Sequence, residues 1–133
     1  MKKSIFLFVL VGLIMFVAQA LNAPTDYSVA FEWDDSNCSE CNSVTKYAKV
    51  KIYTYPGNVF VCESDWEVVT GYQGIIYDSG DIRTDCESDC YLVYVSVKYV
   101  DNEEICCQGT ESETCTGQQL YSGFTLTTTI ILY

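Results

Sequence analysis

"YLVYVSVKYVDNEEICCQGTESETC" (residues 91–115) alternates apolar and polar side chains, turns, and then sets two cysteines side by side. In its first part Val93, Val95 and Val97 fall on one face and Tyr94, Ser96 and Lys98 on the other, the period-two signature of a half-buried strand. Asp101-Asn102-Glu103-Glu104 is turn chemistry and predicts an antiparallel partner beginning at Ile105. Cys106 and Cys107 lie in that partner. Adjacent cysteines rarely bridge each other, because the ring they would close is strained and because successive side chains of a strand point to opposite faces. The two sulfurs are therefore expected to leave in different directions.

What could hold those sulfurs depends on the compartment. Met1-Lys2-Lys3, the apolar run Ile5 to Val17 and the small-x-small Ala18-Gln19-Ala20 form the pattern of an export signal. Residues 1–20 are read as a cleaved signal peptide and residues 21–133 as a single disulfide-rich β domain. The apolar run is shorter than the roughly 20 residues that span a bilayer, so no membrane span is expected after cleavage. Export places the eight cysteines, Cys38, Cys41, Cys62, Cys86, Cys90, Cys106, Cys107 and Cys115, in an oxidising environment, where an even count reads as a framework of four bridges. Two other uses of the sulfurs fit less well. Cys38-Ser39-Glu40-Cys41 has zinc-knuckle spacing, but no second C-x-x-C follows it and the chain has no histidine. The same pair has the spacing of a thiol oxidoreductase, yet Asp34, Asp35 and Glu40 around it would raise a thiol pKa rather than lower it.

The charge is lopsided. Two of the seven cationic residues lie in the signal, which leaves five against eighteen acidic residues in the remainder, a net of −13. Such a surface repels nucleic acid and anionic lipid headgroups and attracts a cationic partner or calcium.

Outward from residues 91–115, the alternation recurs. Tyr27, Val29, Phe31 and Trp33 share one face of a first strand. Residues 45–55 (TKYAKVKIYTY) set Ala48, Val50 and Ile52 against Lys49, Lys51 and Tyr53, and Pro56-Gly57-Asn58 ends that strand. Val59 to Cys62, Trp66 to Tyr72 and Gly74 to Tyr77 read as shorter strands, with a bend at Gly71. The last, Phe124 to Tyr133, places Phe124, Leu126, Thr128, Ile130 and Leu132 on one face. The chain is thus expected to be all-β, a small disulfide-bonded antiparallel sandwich or open sheet of about seven strands.

The order of the cysteines, C-x-x-C at Cys38 and Cys41, a lone Cys62, the close pair Cys86 and Cys90, the vicinal Cys106-Cys107 and a final Cys115, resembles the three-finger family of snake toxins and urokinase-receptor-like surface proteins. The resemblance implies a three-finger fold as the alternative architecture. It also implies the bridges Cys90–Cys106, Cys107–Cys115, Cys38–Cys62 and Cys41–Cys86, with Gly109 to Cys115 closed into a rigid acidic loop. Members are often held at the cell surface by a lipid anchor, and Thr116-Gly117-Gln118 with the tail from Phe124 loosely fits such a signal. The alternation of that tail favours a final strand.

Candidate sites are few. Asp78, Asp81, Asp85 and Asp89 could offer oxygens to calcium, although their spacing is not that of an EF-hand. Asn37-Cys38-Ser39 is a glycosylation sequon in a eukaryotic source. The absence of histidine removes most general bases and nucleophile pairs, and no carboxylate pair stands out, so no enzyme is expected and no cofactor beyond calcium. The expectation is a secreted or cell-surface recognition or structural module that binds a protein partner or itself; its alternative is a calcium- or carbohydrate-binding domain that uses acidic loops. Eleven tyrosines suit either an interface or strands.

Overall fold

The computed structural model describes residues 25–133; the expected signal peptide, residues 1–20, lies outside the described residues. The elements are β1 (Thr25–Asp34), β2 (Thr45–Thr54), β3 (Phe60–Glu63), β4 (Glu67–Val68), β5 (Gln73–Gly80), β6 (Tyr91–Asp101), β7 (Glu104–Cys115), α1 (Gly117–Ser122), β8 (Phe124–Thr125) and β9 (Ile130–Ile131). They form two open sheets. In the first, β1 is flanked by antiparallel β5 on one side and by β8 and β9, both parallel to it, on the other. The second has the order β3-β2-β6-β7, antiparallel throughout, with β4 also pairing β2. The chain is therefore mostly β in two sheets, as its alternation predicts.

The alternation also fixes which faces meet. Tyr27, Val29, Phe31 and Trp33 of β1 are at most 3% exposed, and Ala48, Val50, Ile52, Val93, Val95 and Val97 from β2 and β6 are fully buried in the same core cluster. Each of these valines and isoleucines contributes about 1.5–3 kcal/mol on leaving water. The β6–β7 connection is a two-residue turn in which Asn102 and Glu103 both take positive φ (49° and 67°), the twist that suits a tight hairpin.

Two expectations change, and one element is new. The segment from Gly109 to Cys115 is not a loop: β7 runs through it, paired with β6 from Glu104 to Cys115. The C-terminal tail is not one strand but two short ladders on β1, and Thr127 to Thr129 between them are exposed. Its alternation nonetheless survives, since Phe124, Leu126, Ile130 and Leu132 all lie in the core. A short helix precedes it, opened by a capping box in which the Thr116 hydroxyl accepts from the Gln119 amide while the Gln119 side chain accepts from the Thr116 amide.

The bridges are Cys38–Cys107, Cys41–Cys106 and Cys86–Cys90, and Cys62 and Cys115 remain thiols. None of the pairings implied by the three-finger resemblance occurs, and three bridges form rather than four. The ladders explain why. Cys107 and Cys115 are eight residues apart on one extended strand, about 26 Å at the usual rise, whereas a bridge needs Cα atoms within about 7 Å. Cys90 precedes Tyr91, which lies opposite Cys115, while Cys107 lies opposite Tyr99, so Cys90 and Cys106 are at opposite ends of the β6–β7 ladder. Cys86 stands at the Cys90 end, far from Cys41. Cys62, opposite Ile52 of β2, is likewise remote from the Cys38 end. Cys62 and Cys115 belong to the outer strands β3 and β7, with β2 and β6 between them, roughly 14 Å at ordinary strand spacing. Cys106 and Cys107 do leave on opposite faces, Cys106 exposed and Cys107 2% exposed, yet both reach the same Cys38–Cys41 turn.

These two parallel bridges share one loop. Either closes a span of more than sixty residues (sequence separations 69 and 65), and with one in place the other closes only a small extra ring. Removing Cys41 and Cys106 together, or Cys38 and Cys107 together, by alanine is expected to cost about 1–2 kcal/mol, whereas removing all four should cost roughly 4 kcal/mol or more. Urea unfolding of the three variants measures this; strictly additive losses would contradict it.

Candidate recognition face

The register of β2 against β6 gathers side chains that lie far apart in sequence. Lys51 stands opposite Tyr94, Lys49 opposite Ser96 and Tyr47 opposite Lys98, all on the face turned away from the core. β7 adds Thr110 and Ser112 to the same face. Trp66, on the segment between β3 and β4, folds over it: the Lys98 ammonium lies 3.9 Å from the centre of the indole ring and Lys49 Nζ 5.8 Å away. An ammonium over an indole is attracted by the ring quadrupole, which ties Lys98 to Trp66. Tyr53 meets Tyr94 and Phe60 edge to face, with ring centres 5.6 and 5.8 Å apart.

Between these groups runs an open groove of about 740 Å³, floored by Tyr53, Tyr94 and the hydrogen-bonded hydroxyls of Ser96 and Thr110 (2.8 Å). Lys49, Lys51, Asn58 and Trp66 form its walls. The nearest carboxylate on the face is Glu63 of β3, bridged to Lys49 at 3.1 Å and to Lys51 at 3.7 Å; its hydrogen bond with Lys49 holds the carboxyl below its ordinary value. Among the outward positions of β2, β6 and the Gln108–Thr114 part of β7 there are three lysines and no carboxylate. In a chain with eighteen acidic residues, that is charge segregation. The other two cations of the described residues are occupied elsewhere. Lys46 lies over the rings of Tyr72 and Tyr99 and donates to the Gly71 carbonyl, and Arg83 pairs with Asp85.

The acidic candidates do not converge. Asp78 is half-buried on β5 opposite Tyr27, Asp81 and Asp89 are exposed in the β5–β6 connection, and Asp85 is tied to Arg83, whose hydrogen bond and charge hold its carboxyl below the usual range. Among the described residues no group of three or more His, Cys, Asp or Glu side chains could hold a metal ion. The Cys38–Cys41 pair is not a redox dithiol either, since each sulfur is bridged to β7. The lysine and aromatic faces of β2 and β6 are visible in the sequence as the polar halves of two alternations. What the sequence does not carry is the register that superposes them, or the return of Trp66 over the top.

The two thiols, Cys115 buried and Cys62 half-buried, are held in the neutral form. Burial pushes Cys115 up to about 12, with Glu113 and Asp89 adding to it, and burial pushes Cys62 up to about 11. Tyr27 Oη is buried beside Cys62 and makes no hydrogen bond of good geometry, and the loss of water raises its pKa as well. No protein-family model matches the chain, and neither a curated protein nor a solved structure does so.

The thiols have a consequence for alkaline stability. Their folded-state pKa values lie above the ordinary value of 9.0, so the fold favours the neutral thiols. That contribution is fully present below about pH 9 and is lost as pH rises towards 11 and 12. The urea midpoint of the wild-type chain should therefore fall between about pH 9 and pH 10.5, and the variant with both Cys62 and Cys115 replaced by alanine should lose less over the same interval. Equal pH dependence in the two proteins would contradict the buried-thiol assignment.

Proposed function

We propose that this chain is an extracellular recognition domain that binds an acidic segment of a protein partner through the outer face of β2, β6 and β7, without catalysis. The observation that carries the reading is the charge segregation: three lysines and no carboxylate on the outward positions of β2, β6 and the Gln108–Thr114 part of β7, with Glu63 of β3 the one carboxylate beside them, in an otherwise strongly acidic chain. Tyrosine and tryptophan beside those lysines are the residue types that dominate interface energetics, because they bury large areas at low entropic cost and keep a polar tip. At physiological salt, fields decay over about 8 Å, so a carboxylate at the groove responds to Lys49, Lys51 and Lys98, offset by the single carboxylate of Glu63, more than to the net charge of the far surface.

Three bridges fit an oxidising compartment, and no helix of the described residues is long and apolar enough to cross a membrane. The C-terminal residues Leu126, Ile130 and Leu132 lie in the core, which favours a secreted chain that keeps its tail over one that exchanges it for a lipid anchor.

Trp66 is 39% exposed and Trp33 only 3%, so indole emission reports on the groove. Titration with poly-L-glutamate should shift or quench the emission in a saturable manner, less so as salt is raised, and the change should vanish in the K49E/K51E variant. A panel of neutral oligosaccharides serves as the comparison. Unchanged emission with poly-L-glutamate, or an equal response in K49E/K51E, contradicts the proposal. Saturable binding of a neutral oligosaccharide alone would replace it with a carbohydrate-binding role.

A further inference from the structure

The outer sheet edges of this fold are not treated alike. β7 is covered in its middle by the chain terminus, where Gln108 and Tyr133 exchange two backbone hydrogen bonds of 3.0 Å, and its ladder with β6 is irregular near Tyr99. β3 has four residues and a register shift against β2; β8 and β9 have two residues each. β5 differs. It runs for eight residues, Gln73–Gly80, in unbroken register with β1, and among the described residues it has no strand on its other side. Among the usual edge safeguards a proline, a lysine and a bulge are missing from it, no strand of the described residues pairs with its outer side, and its one charged side chain is Asp78.

Its outward side chains stand clear as well. Ile75 is 50% exposed and Tyr77 70%, and the β1 residues opposite them are the small Ala30 and Ser28. An unpaired row of backbone donors and acceptors beside an exposed aliphatic and an exposed aromatic is the composition of a strand-addition surface.

We infer that β5 is the self-association edge of this protein, pairing antiparallel with β5 of a second copy about a two-fold axis through Ile76. The register follows from the faces. Ile76 is fully buried on the inner side, so a continuous sheet must set inward residues opposite inward residues. Centring on Ile76 does this with nearly full overlap of the two strands: Ile76 meets its own copy, Ile75 of each copy lies opposite Tyr77 of the other, and Asp78 lies opposite Gly74, so no like charges face one another. The strand is thus complementary to itself, which is the requirement of a closed two-fold dimer and commits the edge to a second copy of this chain. The two acidic protomers repel at long range, and salt therefore strengthens this contact, the opposite of its effect on lysine-mediated binding.

Sedimentation equilibrium of the secreted protein over a range of concentrations tests the inference. Wild type should approach twice the monomer mass as concentration rises, and do so at lower concentration when salt is raised. The I75K/Y77K variant changes only exposed positions and should remain at the monomer mass while keeping the wild-type near-ultraviolet circular dichroism. The K49E/K51E variant should dimerise as wild type does, so that failure here and failure of the lysine-face reading are told apart. A wild-type chain that stays monomeric throughout, a dimer that persists in I75K/Y77K, or a dimer that salt weakens and K49E/K51E abolishes would overturn it.

Discussion

The fastening of the Asp35–Val44 connection to the start of β7 is the constraint on which the rest of the structure depends. That connection is the first passage of the chain from one sheet to the other. It is caught at Cys38 and Cys41 by Cys107 and Cys106, and beside the bridges the Trp33 indole donates to Tyr99 Oη, which in turn donates to Asp35 (2.7 Å each). Burial and this hydrogen bond to the Asp35 carboxylate raise the Tyr99 pKa, so the phenol remains a donor at any ordinary pH. Trp33 comes from β1, Tyr99 from β6 and Asp35 from the connection, so one polar chain and two covalent links tie both sheets at the same end. A domain of this size has a modest margin, and holding one end shut lowers the entropy that its two open sheets must overcome in closing over their core.

The lysine face depends on the register that this junction helps to hold. A slip of one residue between β2 and β6 would turn Lys49 and Lys51 inward and Val50 and Ile52 outward, so the buried apolar set and the lysine face specify each other. The same logic applies in the first sheet, where Ile76 points into the core while Ile75 and Tyr77 stand in solvent at an unpaired edge. The two surfaces belong to different sheets. One carries Lys49, Lys51 and Lys98; the other has Asp78 as its single charged side chain.

Much of the fold is legible in residues alone. Tyr27 to Trp33, Thr45 to Tyr55 and Tyr91 to Val100 announce themselves by alternation, because each has one buried face and one more exposed face. Elsewhere local signals mislead. The loop from Gly109 to Cys115, implied by a Cys107–Cys115 bridge, is instead part of an outer strand on which Glu111 and Glu113 are partly buried, and Gly109 is needed because a Cβ there would meet the Ile131 carbonyl of the tail. The tail itself alternates as a strand should, but its partner is β1 in parallel, a long-range pairing that no local pattern encodes. Cysteine order is the least informative feature of all: which sulfur reaches which is set by the end of the ladder on which each lies. For the same reason the lysine face is visible only as two separate halves until the register joins them.

The clamping of one connection to β7 by two parallel bridges is tested most directly by partial reduction, stepwise alkylation and mass spectrometry of peptides from the non-reduced protein. The structure predicts Cys38 joined to Cys107 and Cys41 to Cys106, a separate peptide containing Cys86 bridged to Cys90, and Cys62 and Cys115 alkylated without reduction once the chain is unfolded. Finding Cys106 or Cys107 linked to each other, to Cys90 or to Cys115 would contradict it.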